Sequence, residues 1–171
     1  MRIAPVVAAA ALLAGCAGAP APPEAPSPTV STKRTQEFVA TFEPDELIQY
    51  HVGADLEKTY GWLEYSARTR FLDNGFDAQM LVANDFVKGN GTFEGFVTLV
   101  SGKGDIGLRI TGVASSGPQG PGSSFTGETE VIGGTQAYAT LAGRGRFSGE
   151  RVGDVGTPID VRVTLELINA R

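Results

Sequence analysis

Few residues in this chain have the chemistry to act on another molecule. Its 171 residues include one cysteine, Cys16, and one histidine, His51. One thiol and one imidazole cannot build a disulfide within the chain, a cysteine-ligated zinc site or a multi-histidine metal site. The sequence thus implies no metal and no cofactor. His51, beside Tyr50, suits a surface or hydrogen-bonded position near a strand end better than catalysis. No serine stands in the G-x-S-x-G setting of a nucleophile elbow. Glu128 and Glu130 would share one face of a strand with Thr126 and Ile132. There they could form an acid/base pair or simply a solvated outer face. Tyr65 and Asn84 are the ligand-pocket candidates, polar groups on a strand face that is otherwise apolar. Such groups either satisfy each other or mark a polar spot in a cavity.

Cys16 has the clearest context. Met1 and Arg2 precede an apolar run, Ile3 to Leu13, that is too short to span a hydrocarbon core of about 30 Å as a helix. The run ends in Leu13-Ala14-Gly15-Cys16, which resembles the bacterial lipobox: a branched apolar residue, two small residues and the cysteine that accepts lipid. This resemblance implies a signal peptide over residues 1–15 and lipidation of Cys16, with the membrane as a partner through the N-terminal lipid. In a two-membrane cell, Ala17 is not the aspartate associated with inner-membrane retention, so the implied address is the outer membrane. The competing reading is an ordinary secretory signal cleaved near Ala17 or Ala19. Residues 16–35 are proline- and alanine-rich, and six of the chain's ten prolines lie before residue 30. Such a stretch buries too little to fold and reads as a disordered, extended tether.

A single soluble domain is expected over residues 36–171. The net charge of -5, with no basic cluster, argues against a nucleic-acid partner. From Gln36 onward the apolar residues alternate with a period of two, starting with Phe38, Ala40 and Phe42. Runs 62–72 and 76–87 flank Asp73-Asn74-Gly75, and Asn-Gly is a preferred two-residue hairpin turn. Taking Asn74-Gly75 as that turn sets Tyr65 directly opposite Asn84, on a face with Leu63, Phe71, Met80, Val82 and Phe86. Further strands are expected at 92–101, 106–114, 124–132, 144–152 and 158–168, with a Gly/Pro/Ser loop at 115–123. That makes eight strands, or nine if Ile48–Val52 is separate, and Pro44-Asp45-Glu46 could instead begin a short helix. Consecutive hairpins without covering helices favour closure into one antiparallel, calycin-like β-barrel, which removes exposed edges.

Gly89-Asn90-Gly91-Thr92-Phe93-Glu94-Gly95 recurs as Gly143-Arg144-Gly145-Arg146-Phe147-Ser148-Gly149. No helix follows either copy and the third glycine is one residue late for a dinucleotide fingerprint. The glycines share a face with Phe93 or Phe147, so each strand sets one ring between empty positions, which suits bending or a cavity. Val131-Ile132-Gly133-Gly134-Thr135-Gln136-Ala137-Tyr138, followed by Leu141-Ala142-Gly143, is similar to a stretch of the allene oxide cyclase and dirigent barrels and related bacterial proteins. This resemblance implies an eight-stranded antiparallel barrel with an apolar cavity. Gln136 stands where that pattern usually has glycine, and the family's catalytic polar residues have no counterparts that can be placed here.

Three functions fit: a barrel that binds a small apolar or amphipathic ligand, an isomerase or cyclase of the allene-oxide-cyclase type, or a filled barrel that works through its surface. The polar set of Tyr65 and Asn84 favours binding over catalysis.

Overall fold

The computed structural model describes residues 32–117 and 122–168. Cys16, the expected signal peptide and all but the last residues of the expected tether lie outside them. Eight strands follow in chain order: β1 Lys33–Val52, β2 Asp55–Phe71, β3 Asn74–Val87, β4 Asn90–Ser101, β5 Gly104–Ser116, β6 Ser123–Gly134, β7 Ala142–Arg151 and β8 Ile159–Ile168. A single 3-10 turn, Gln136–Tyr138, interrupts them between β6 and β7. Each strand pairs antiparallel with its chain neighbour, and β1 with β8, giving a closed eight-stranded barrel.

β1 closes the barrel by serving two neighbours in turn. Residues 33–42 pair with β8, and residues 43–52 pair with β2. The changeover falls at Pro44, where a bulge interrupts the register before Glu46. Proline has no N–H to give a ladder, so a strand tolerates it at such a break. The hydroxyl of Ser66 donates to Asp45 across the bulge at 3.0 Å, and that of Thr69 donates to the Val39 carbonyl at 2.9 Å. Residues 43–61, the stretch that could have held a short helix, are therefore strand on both sides of a tight turn. Ile48–Val52 belongs to β1 and adds no ninth strand.

The turn between β2 and β3 is not the one its Asn-Gly sequence suggests. Leu72 and Asp73 form the two-residue loop, with φ of 49° and 60°, and Phe71 pairs with Asn74. The ladder is thus offset from the expected register, by an even number that leaves the same residues inside. Tyr65 faces Met80 and Asn84 faces Gly61, so Tyr65 and Asn84 are not opposite each other. A left-handed Leu72 costs about 1–2 kcal/mol. Phe76 faces inward in either register, and here it pairs with Thr69 and is buried. The Phe76 ring then lies 6.4 Å from Phe71 and 5.7 Å from Tyr138, centroid to centroid. The amide of Asn74, freed from the turn, donates to the Leu72 carbonyl at 2.8 Å and the Tyr138 hydroxyl at 3.1 Å.

These contacts seal one end of the barrel. Phe38, Phe71, Phe76 and Tyr138 form a chain of rings there, with Leu99, Ile106, Leu165 and Leu167 buried around them. Thr135 pins the 3-10 turn to β5: its hydroxyl accepts from the Asp105 N–H, and its own N–H donates to the Asp105 carbonyl, both at 2.9 Å. Gln136 follows with φ of 49°, a left-handed position. The glycine that the resembling pattern carries here would meet that requirement without a Cβ penalty.

Across the middle of the barrel one row of side chains explains the phenylalanine at the centre of each glycine repeat. Phe93 of β4 pairs with Gly112 of β5, Gly112 with Gly127 of β6, and Gly127 with Phe147 of β7. The two rings lean toward each other over the glycines, with centroids 5.8 Å apart. A Cβ built on Gly127 would lie 2.6 Å from the Phe147 ring and collide with the Thr111 backbone oxygen. Gly127→Ala should therefore destabilise the fold by about 1–3 kcal/mol in denaturant titration. Gly133→Ala, where nothing lies within 4 Å, should change stability little.

Candidate functional site

Away from the rings of the closed end the barrel keeps a void, bordered by Phe93 and Phe147 themselves. Its volume is about 60 Å³, and its walls are apolar, among them Phe42, Leu63, Met80, Phe86, Val97 and Val161. Three polar residues join that lining: Tyr65, Thr129 and Arg151. The void lies toward the end where β1 meets β2 and β7 meets β8. Lys33, where the described barrel begins, is at the sealed end.

Arg151 is the unexpected member. It ends β7 on the same face as Phe147 and Gly149, so the pleat turns its long side chain inward, and it is only 8% exposed. One terminal nitrogen donates to the Ser123 hydroxyl at 2.9 Å, across the β6–β7 ladder. The guanidinium sits 5.7 Å from the centre of the Phe125 ring. Its Nε–H has no partner, and no carboxylate lies within salt-bridge distance among the described residues. The Thr129 hydroxyl, 3% exposed on the inward face of β6, is also without a partner.

Tyr65 projects into the void from the centre of β2, beside Arg151. Burial raises the pKa of its phenol above the usual 10.0, while the charge of Arg151 and a hydrogen bond from it pull the other way. Burial wins, so the phenol is neutral at physiological pH and keeps its proton to donate. Asn84 shares the inward orientation and is fully buried, yet it lies outside the cavity lining. Neither its Oδ1 nor its Nδ2 has a partner among the described residues. Tyr65 and Asn84 are thus both interior, as the alternation implies, but they do not form one polar spot.

The remaining candidates are outside. His51 is exposed near the end of β1. Glu128 and Glu130 belong to cross-strand rows of alternating charge on the outer surface. Glu130 lies between Arg109 and Arg144 and accepts from Arg144 at 3.2 Å; Glu128 lies between Thr111 and Arg146. Both line an open groove on that outer surface, among Arg109, Arg144 and Arg146, and neither reaches the barrel interior. Arg151 and Thr129 carried a signal that the sequence reading passed over: each lies an even number of residues from Phe147 or Val131, inside positions in a period-two strand.

No family model matches the chain, and no curated protein matches it. Among solved structures, pyocyanin demethylase is similar, at 18% identity with a TM-score of 0.45, over 80% of this chain and 99% of that one. An identity and score this low transfer no activity.

The shift at Tyr65 has a measurable sign. Followed by tyrosinate absorbance, Tyr65→Phe should remove an ionisation lying above pH 10.0. Because the folded pKa is raised, this group's contribution to stability is complete below the unfolded value and lost as pH rises through the folded one. Arg151→Met, by removing the neighbouring charge, should move the Tyr65 ionisation still higher.

Proposed function

We propose that this chain is a cell-envelope lipoprotein, held by lipid on Cys16, whose barrel binds a small apolar or amphipathic molecule in its interior. The observation that supports binding most is the set of unpaired polar atoms, Arg151 Nε and Thr129 Oγ1, on the wall of an otherwise apolar void. A barrel filled only for stability has no use for them, because each buried polar group without a partner costs about 1–3 kcal/mol. In a ligand site such groups orient the guest while apolar walls hold it.

The void is well below the several hundred cubic ångströms of a drug-sized site, so its ligand is small. Met80, an unbranched and adaptable side chain, is the part of the wall best able to yield. The isomerase or cyclase reading needs a group that takes a proton near neutral pH. The described lining offers a phenol, a hydroxyl and a guanidinium, but neither carboxylate nor imidazole. That set favours holding a molecule over transforming it.

Protein purified from its own cells should carry a stoichiometric small molecule in native mass spectrometry, released on denaturation. Ligand-free protein in every preparation, with no thermal shift from any small amphipathic compound, would overturn the binding reading. Anchoring has a separate test: Cys16→Ser should move the protein from the membrane fraction to the soluble one, and an unchanged distribution would refute the lipid.

A further inference from the structure

Arg151 narrows the ligand class. We infer that the cavity takes a small monocarboxylate, its carboxylate on Arg151 with the Tyr65 hydroxyl close by, and its apolar body against the phenylalanine, leucine and valine walls. The inference rests on the binding function proposed above and deepens it.

Charge is the first constraint on the guest. A guanidinium is protonated at every accessible pH, so burial cannot neutralise it as it can a lysine or histidine. Removing it from water is expensive unless an anion or a full set of acceptors replaces the hydration. Arg151 has one hydroxyl acceptor in Ser123, a phenol beside it in Tyr65 and a ring face in Phe125. All three are neutral. Each of the five ion pairs among the described residues is elsewhere, on exposed or half-exposed side chains. Glu150, next in sequence, points to the opposite face of the strand and is exposed. The barrel therefore encloses one net positive charge, with a donor left over.

That count sets the guest. One positive charge is balanced by a monoanion, whereas a phosphate dianion would leave an uncompensated negative charge in the same apolar walls. A carboxylate also suits the planar, multi-donor guanidinium, which can meet both its oxygens. The neutral Tyr65 phenol, beside Arg151, supplies a further donor. The lining is overwhelmingly apolar beyond Tyr65, Thr129 and Arg151, so the body attached to the carboxylate is hydrocarbon. The volume admits a short chain and not a long one.

The test uses the full-length protein and the straight-chain carboxylates from acetate to octanoate, each set against its primary amide. The amide copies the shape and removes the charge. By calorimetry or amide chemical-shift titration, the best carboxylate should bind at least about tenfold more tightly than its amide. Affinity should peak at an intermediate chain length. Arg151→Gln should abolish the preference, and Arg151→Lys should retain part of it. Equal affinity for carboxylate and amide, or a preference surviving in Arg151→Gln, would overturn the carboxylate inference while leaving a binding cavity in place. Failure of every carboxylate and amide to bind would overturn the inference, while the native mass spectrum decides the binding function separately. A thermal melt separates a binding residue from a structural one. Arg151→Met, which replaces an unbalanced charge with an apolar chain, should melt at or above the wild-type temperature. A drop of more than about 5 °C would make Arg151 a structural residue and overturn the inference.

Discussion

The barrel depends on the pairing of one strand with two partners. A flat sheet of eight strands would leave two rows of unpaired N–H and C=O groups, and those edges invite aggregation. β1 removes both by pairing with β8 along its first half and with β2 along its second. It must be long to do so, and its 20 residues exceed any other strand. It must also change direction between the two partners, which the bulge at Pro44 allows. The inward face of every other strand is fixed once this seam is fixed, because closure leaves no freedom to slip one strand without slipping all.

Closure in turn makes interior volume the limiting quantity. Eight strands enclose a space that side chains just fill, so each large ring inside requires a small residue opposite. At the sealed end, Phe71 and Phe76 reach Tyr138 and leave no gap. In the middle, Phe93 and Phe147 occupy the space that Gly112 and Gly127 vacate. The glycines thus fill the barrel by subtraction, and the remaining void is bordered by the same two rings. Its position follows from where the rings are, and it needs no separate device to keep it open.

Much of this was legible in the sequence, for a clear reason. Period-two alternation reports directly which residues face inward, and a closed barrel buries only one face, so Phe38, Leu63, Tyr65, Leu108 and Leu165 all fall where the pattern puts them. Register was less legible. The Asn-Gly dipeptide is a local preference, whereas Asn74 takes its place in β3 with its amide on the Leu72 carbonyl and the Tyr138 hydroxyl. Pro44-Asp45-Glu46 has the local chemistry of a helix start, yet the same residues serve as the bulge at the barrel seam. Arg151 was hidden by expectation more than by pattern. Its parity with Phe147 and Gly149 marks it as inward, but an arginine at a strand end is ordinarily read as surface.

That exception is the most informative residue in the barrel. Glu37, Glu130, Arg144 and Arg162 are on the outer face, in pairs that water screens and that contribute little. Selection for stability alone would treat position 151 as it treats 161, 163 and 165 and set a hydrocarbon there. A guanidinium in that place weakens the empty barrel, and the loss is recovered when a guest brings the missing charge. The same reasoning accounts for Thr129, where valine would pack as well and leave no orphaned hydroxyl. Asn84 does not submit to it: its amide is buried without a partner, outside the cavity, and nothing in the structure explains it. The two unpaired groups that do line the void are the ones whose cost a ligand can offset, and an opening onto that void is what separates them from a packing defect.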